Sequence, residues 1–96
     1  MNNTIATTYT DAKLRILIEE FIAMQKAEFT FKQVCSYILY RAMEEEKTTA
    51  TGLYESNKLH EDDCKRVSVI MDKIVGEGRI MVSTDNDNKI FKKAVE

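Results

Sequence analysis

The chain has no proline, no tryptophan and only three glycines among its 96 residues. It holds no proline-rich linker, no low-complexity tract and no internal repeat, so it reads as one domain around one modest core. No apolar run approaches the roughly 20 residues that a membrane helix needs. That excludes a membrane partner and points to a soluble, cytoplasmic protein. The opening, MNNTIATTYT, lacks both a basic start and an apolar stretch, so no secretory signal is expected. The two cysteines, Cys35 and Cys64, form no dense framework, and reduced thiols are expected. A basic excess is missing too. Formal net charge is −2, whereas a protein that holds nucleic acid by charge alone is normally basic overall. What is present, 44% hydrophobic and 31% charged residues, is the make-up of a globular domain.

Signatures of catalysis and metal binding are also thin. His60 and Cys64 stand at i and i+4 and can face one spot on a helix. A closed zinc site needs four ligands, however, and no C-x-x-C pair supplies the others. Nothing orients His60 for a Cys–His nucleophile. The stretch DNDNKIFKKAVE begins like a calcium loop and ends on Glu96, but its fifth and sixth positions are Lys89 and Ile90, where a ligand and a glycine belong. With no phosphate-binding glycine loop and no serine elbow, the expectation is a non-enzyme without metal or cofactor.

Three helical patterns run along the chain. Residues 1–10 are polar and read as a loose N-terminal segment, although Ile5 and Tyr9 could pin it, and 11–96 read as the folded domain. Thr10 or Thr8 can cap a first helix from about Asp11 to Gln25, with Leu14, Leu17, Ile18, Phe21 and Gln25 on its main stripe. Ile16 lies on the opposite face near Ala12 and Ala23, which suggests either one exposed aliphatic residue or a homodimer contact. In EFTFKQVCSYIL, Thr30 and Gln33 form a T-x-x-Q capping box, and Phe29 and Val34 are placed for a hydrophobic staple. The second helix is expected from Phe31 to about Glu46, with Phe31, Val34, Cys35, Ile38 and Ala42 inward. Tyr37, Tyr40 and Met43 fall outside that stripe. Residues 28–30 can add a short strand. A polar connection, KTTATGLYESNK, follows, with Gly52 as its turn and Leu53 and Tyr54 as its large apolar residues. A third helix begins near Leu59 on a stripe of His60, Cys64, Val67, Ile70, Met71 and Ile74. Glu61, Asp62 and Asp63 fill its first turn, where negative charge suits the free amides, and Gly76 or Gly78 ends it.

The last stretch is RIMVS, TDNDN, KIFKK. Two β-prone runs flank a loop of residues that tolerate positive φ, which predicts a hairpin with strands near 79–83 and 89–93.

Helix, short strand, helix, connection, helix and hairpin in this order resembles the winged helix-turn-helix superfamily, most clearly over RVSVIMDKIVGEGRIMVSTDNDNKIFKK. The resemblance covers about Asp11 to Lys93. It implies a mainly α fold of three helices with a C-terminal β-hairpin as the wing. It also implies a small DNA-binding transcriptional regulator of bacterial or phage type that works as a homodimer. Carried over by position, Lys58, Asp62, Lys65, Arg66 and Val69 would face the major groove of double-stranded DNA, and Arg79, Lys89 and Lys92 would be offered by the wing. Three carboxylates at the start of the third helix depart from the pattern, as do Asp85 and Asp87 at the wing tip. From 79 to 96 the charge balance is only +1. Phosphate neutralisation supplies most non-specific DNA affinity, so the alternative is a winged-helix module that docks a protein partner or only itself.

Overall fold

The computed structural model describes residues 4–48 and 58–94. Within them the chain forms β1 (Thr4–Ile5), α1 (Asp11–Met24), β2 (Phe29–Thr30), α2 (Phe31–Glu44), β3 (Lys58–Leu59), α3 (Glu61–Gly76), β4 (Ile80–Asp85) and β5 (Asn88–Lys93). The result is a mostly helical α+β fold. Three helices pack against a three-stranded antiparallel sheet of order β2-β5-β4, and β1 pairs in parallel with β3. Gly52, Leu53 and Tyr54, the expected turn and its apolar residues, lie outside the described residues.

Local signals set most of the boundaries. Thr10 caps α1 by accepting from the Lys13 amide. The capping box of α2 is complete: the Gln33 amide donates to Thr30 Oγ1, and the Thr30 amide donates to Gln33 Oε1 at 2.8 Å. At the end of α3, Gly78 takes φ +79° while its amide donates to Val75 O and that of Arg79 to Ile74 O. This paired closure of a helix end needs a left-handed residue, which glycine adopts without strain.

The core runs through all three helices and the sheet. Leu14, Leu17, Ile18, Phe21 and Ile22 of α1 meet Val34, Cys35, Ile38, Leu39 and Ala42 of α2 and Val67, Ile70, Met71 and Ile74 of α3. Phe29, Ile80 and Phe91 close it from the sheet, with Phe29 and Phe91 stacked at 5.8 Å. The expected stripes need adjustment at their rims. Gln25 and Phe31 are only half-buried, whereas Ile22 and Leu39 are inside. On α3 the buried position is Asp63 in place of His60 and Cys64. Tyr37 packs on the core and stacks on Phe21, Met43 is partly buried, and Tyr40 is exposed.

Residues 5–10 join this core. Ile5 and Tyr9 are buried, so the two residues able to pin the segment do so. The Tyr9 hydroxyl donates to Glu45 Oε1, and the Thr8 amide donates to Lys47 O. The hairpin is longer than the sequence suggests. Pairing continues through Thr84↔Lys89 and Asp85↔Asn88, which leaves only Asn86 and Asp87 as the loop. Their φ values of 48° and 67° fit the two-residue turn whose twist matches that of the strands.

Candidate nucleic-acid interface

The start of α3 decides what its charges can do. His60 caps the helix, its Nδ1 accepting from the Asp62 amide at 3.1 Å, so the histidine of the conceivable metal pair already serves as a cap. Of the three carboxylates in the first turn, Asp63 points inward at 4% exposure. Its Oδ2 accepts from the Thr7 amide at 2.8 Å, and its Oδ1 from Arg66 Nη1 at 2.9 Å. A buried charge needs this kind of satisfaction to persist. Asp62 and Glu61 stay at the surface.

Arg66, expected at the major groove, is bonded within the fold. Its Nε donates to Asp11 Oδ1 at 2.7 Å and its Nη2 to Tyr9 O at 2.5 Å. The bond to Asp11 and burial act in opposite directions on this guanidinium, and its pKa is raised on balance. Arg79, expected on the wing, is exposed at the foot of the hairpin, where its Nη1 pairs with Glu19 of α1.

The lysines behave differently. Lys65 of α3 and Lys89 of β5 line one groove of about 530 Å³ with Phe31, Glu61, Cys64, Ser68, Asp87 and Asn88. Lys89 also borders a second hollow, shared with Lys32, Phe31 and the turn residue Asn86. Lys32 and Lys58 rim a third, whose floor is Phe31, Cys35, Leu39, Leu59 and Cys64. The three hollows share Phe31, so Lys58, Lys32, Lys89 and Lys65 edge one continuous depression. All four are exposed, and among the described residues none closes an ion pair with a carboxylate. Glu61, Asp85 and Asp87 share the rim and temper its charge.

Lys32 is not among the residues that the sequence pattern singles out. A signal was there: it sits in a first turn that carries no acid, where the helix dipole disfavours a cation. Lys92 does not join the depression. It stands opposite Met81 while Lys89 stands opposite Thr84, and residues three apart on a strand point to opposite faces. Val69 is exposed one turn beyond Lys65 but does not line the groove. Ala12, Ile16 and Ala23 are all exposed on α1. Next to Ile16, Arg15 is engaged with Glu19 and Glu77, and Lys93 Nζ donates to Ala23 O at 2.8 Å.

At the floor, Cys35 and Cys64 line the same hollow, and the Cys64 thiol donates to Leu59 O at 3.6 Å. Burial pushes both thiols up, Cys35 the more strongly, so both are protonated at neutral pH. Among the described residues no group of three His, Cys, Asp or Glu side chains could hold a metal ion, and no helix is long and apolar enough to cross a membrane. Comparison of the chain with protein-family models, with curated proteins and with solved structures finds no match.

Proposed function

We propose that the protein is a small winged-helix module that binds duplex DNA weakly through the depression between α3 and the hairpin tip, in the manner of a transcriptional regulator. The order α1, β2, α2, α3, β4, β5 supports the winged-helix reading, with the short β2 joining the hairpin in one sheet. The observation that carries the DNA reading is the run of unpaired cations Lys58, Lys32, Lys89 and Lys65 along one concave edge. Lysines without carboxylate partners are free to displace the counterions of a phosphate backbone. Glu61 and Asp87 at the same edge keep the affinity low, while the lysine–phosphate contacts make it fall with salt.

A second reading has its own support. The depression has an apolar floor, Phe31, Cys35, Leu39 and Leu59, which phosphate contact does not need and a docked protein would use.

Affinity for random duplex DNA at several salt concentrations separates the two. Each phosphate neutralised contributes about −0.9 to the slope of log affinity against log salt. The double variant Lys65→Ala, Lys89→Ala should flatten that slope by roughly two units. Lys92→Ala, on the other face of the hairpin, should leave it nearly unchanged. If the parent binds no duplex even at low salt, the DNA reading fails and the docking module replaces it.

A further inference from the structure

Strand β4 ends the sheet: β5 lies on one side of it, and among the described residues no strand lies on the other. Natural proteins blunt such edges with lysine, proline or a bulge, because free N–H and C=O groups template pairing with another strand. β4 reads Ile80-Met81-Val82-Ser83-Thr84-Asp85 and has none of these devices. Met81 is 51% exposed and Val82 43%. Val82 stands opposite Phe91 and so lies on the core face of the sheet. The core's apolar layer therefore runs out to the open edge and stops there.

We propose that this edge pairs with the same edge of a second copy, antiparallel about a two-fold axis through Val82, so that the two sheets become one. The register follows from two independent features. The first is hydrogen-bond parity. The Arg79 carbonyl accepts from the Ala94 amide at 3.1 Å, so residue 79 turns its polar groups toward the β5 side. In an antiparallel ladder this alternates. Met81, Ser83 and Asp85 therefore bond inward, and Ile80, Val82 and Thr84 present their N–H and C=O groups outward. A two-fold pairing satisfies these outward groups only if outward residues meet outward residues. Val82 opposite Val82, with Ile80 opposite Thr84, does so.

The second feature is charge. The same register places Arg79 of each copy opposite Asp85 of the other, and Met81 opposite Ser83. The segment Arg79 to Asp85 is thus complementary to its own reverse, cationic at one end, anionic at the other and apolar at the centre. Arg79 bonds Glu19 through one nitrogen only, Nη1, and a guanidinium carries further donors for a second carboxylate. Directly opposed opposite charges stabilise a strand pair, and like charges destabilise it. A register shifted by one residue would lose both the parity and the charge match.

This contact differs from the α1 face around Ile16, and one set of variants tells them apart. Edge pairing alone covers little area, so sedimentation should be run up to about 100 µM, where a weak dimer of micromolar affinity is populated. Val82→Pro removes an outward N–H without touching a bond to β5, and it should leave the protein folded by circular dichroism and monomeric. Asp85→Lys should weaken the dimer roughly tenfold, and adding Arg79→Glu to it should restore association. Under oxidised glutathione, Val82→Cys should give a disulfide-linked dimer, because the register sets the two positions face to face. Thr84→Cys should not, because it faces Ile80. A parent that stays monomeric throughout overturns the proposal. So does a dimer that survives Val82→Pro but is broken by Ile16→Glu, since that result would move the two-fold contact to α1.

Discussion

On the α1 side of the molecule, every guanidinium is closed onto a carboxylate. Arg15 reaches Glu77 at 2.5 Å, Arg41 reaches Glu20 at 2.9 Å, Arg66 reaches Asp11 and Asp63, and Arg79 reaches Glu19. Arg15 belongs to α1, Arg41 and Arg79 reach α1 through Glu20 and Glu19, and Arg66 ties Asp11 of α1 to Asp63 of its own helix. On the side of the depression the cations are lysines, and Lys32, Lys58, Lys65 and Lys89 stand exposed without such partners. One end of the molecule therefore uses positive charge to hold elements together, and the other leaves it without carboxylate partners. The division follows the chemistry of the two side chains. A planar guanidinium can satisfy several acceptors in fixed directions, as Arg66 does, whereas an ammonium on a flexible stem serves as a mobile point charge.

The adjacent residues Lys65 and Arg66 allow the largest test of this contrast. Arg66→Ala strips Asp63 of its cation while leaving the carboxylate buried. Removing one member of a buried pair costs on the order of 3 kcal/mol, and in a domain of this size the melting temperature should fall by roughly 15 °C. Lys65→Ala next to it should stay within about 0.5 kcal/mol of the parent, and on the proposed function it should lower DNA affinity. A thermal melt of both variants decides the matter. If the two melt alike, the distinction between structural arginines and available lysines is wrong.

A smaller effect comes from the same braced side. The Tyr9 hydroxyl donates to Glu45, and Tyr9→Phe should cost about 1 kcal/mol at neutral pH. Burial, followed by the bond to Glu45, raises the Tyr9 pKa well above its ordinary value. The folded state thus holds this proton more tightly than the unfolded chain does. The associated stability is fully present below the unfolded value of about 10 and is lost as pH rises beyond it. The bond to Tyr9 lowers the Glu45 pKa, so that contribution is present above the ordinary carboxylate range and fades as pH falls through the folded value. Melting curves for parent and Tyr9→Phe between pH 7 and 11 should converge at the alkaline end. A gap that widens there would show that the hydroxyl is not held in this way.

What could be read in the sequence was whatever depends on near neighbours. The capping box of Thr30 and Gln33, the threonine cap at Thr10, the glycine closure at Gly78 and the existence of the hairpin each need only residues a few positions apart. Asp63 shows the limit. In a run of three acids it looks like one more charge at a helix start, yet Thr7, distant in the chain, and Arg66 together hold its carboxylate inward. The bonds of Arg66 are out of reach for the same reason, because its partners Asp11 and Tyr9 come from another part of the sequence. Lys89 and Lys92 were a different matter. Their odd spacing already assigns them to opposite faces of a strand, so their separation was legible in the period of the strand itself. Lys32 carries only the local signal of a cation in an acid-free first turn, and its place on the rim depends on Lys58 and Lys89 arriving beside Phe31.

The finest test uses the thiols under the depression. Cys64 lines both the groove next to Lys65 and the hollow next to Lys32, and it is partly exposed, whereas Cys35 beneath it is buried. Burial raises the pKa of both, and more so for Cys35, which the neighbouring Cys64 pushes further in the same direction. Since the thiolate is the reactive form, iodoacetamide at pH 8 should modify Cys64 slowly and Cys35 more slowly still. If DNA lies across the lysine-rimmed side, adding duplex at low salt should slow Cys64 modification in proportion to the fraction of protein bound. Raising the salt should restore the free rate, because the phosphate contacts are screened and lost. Peptide mapping by mass spectrometry reads the two cysteines separately. Duplex that binds yet leaves the Cys64 rate unchanged would put the contact elsewhere, and the lysines of this rim would lose their assigned role even though the protein binds DNA.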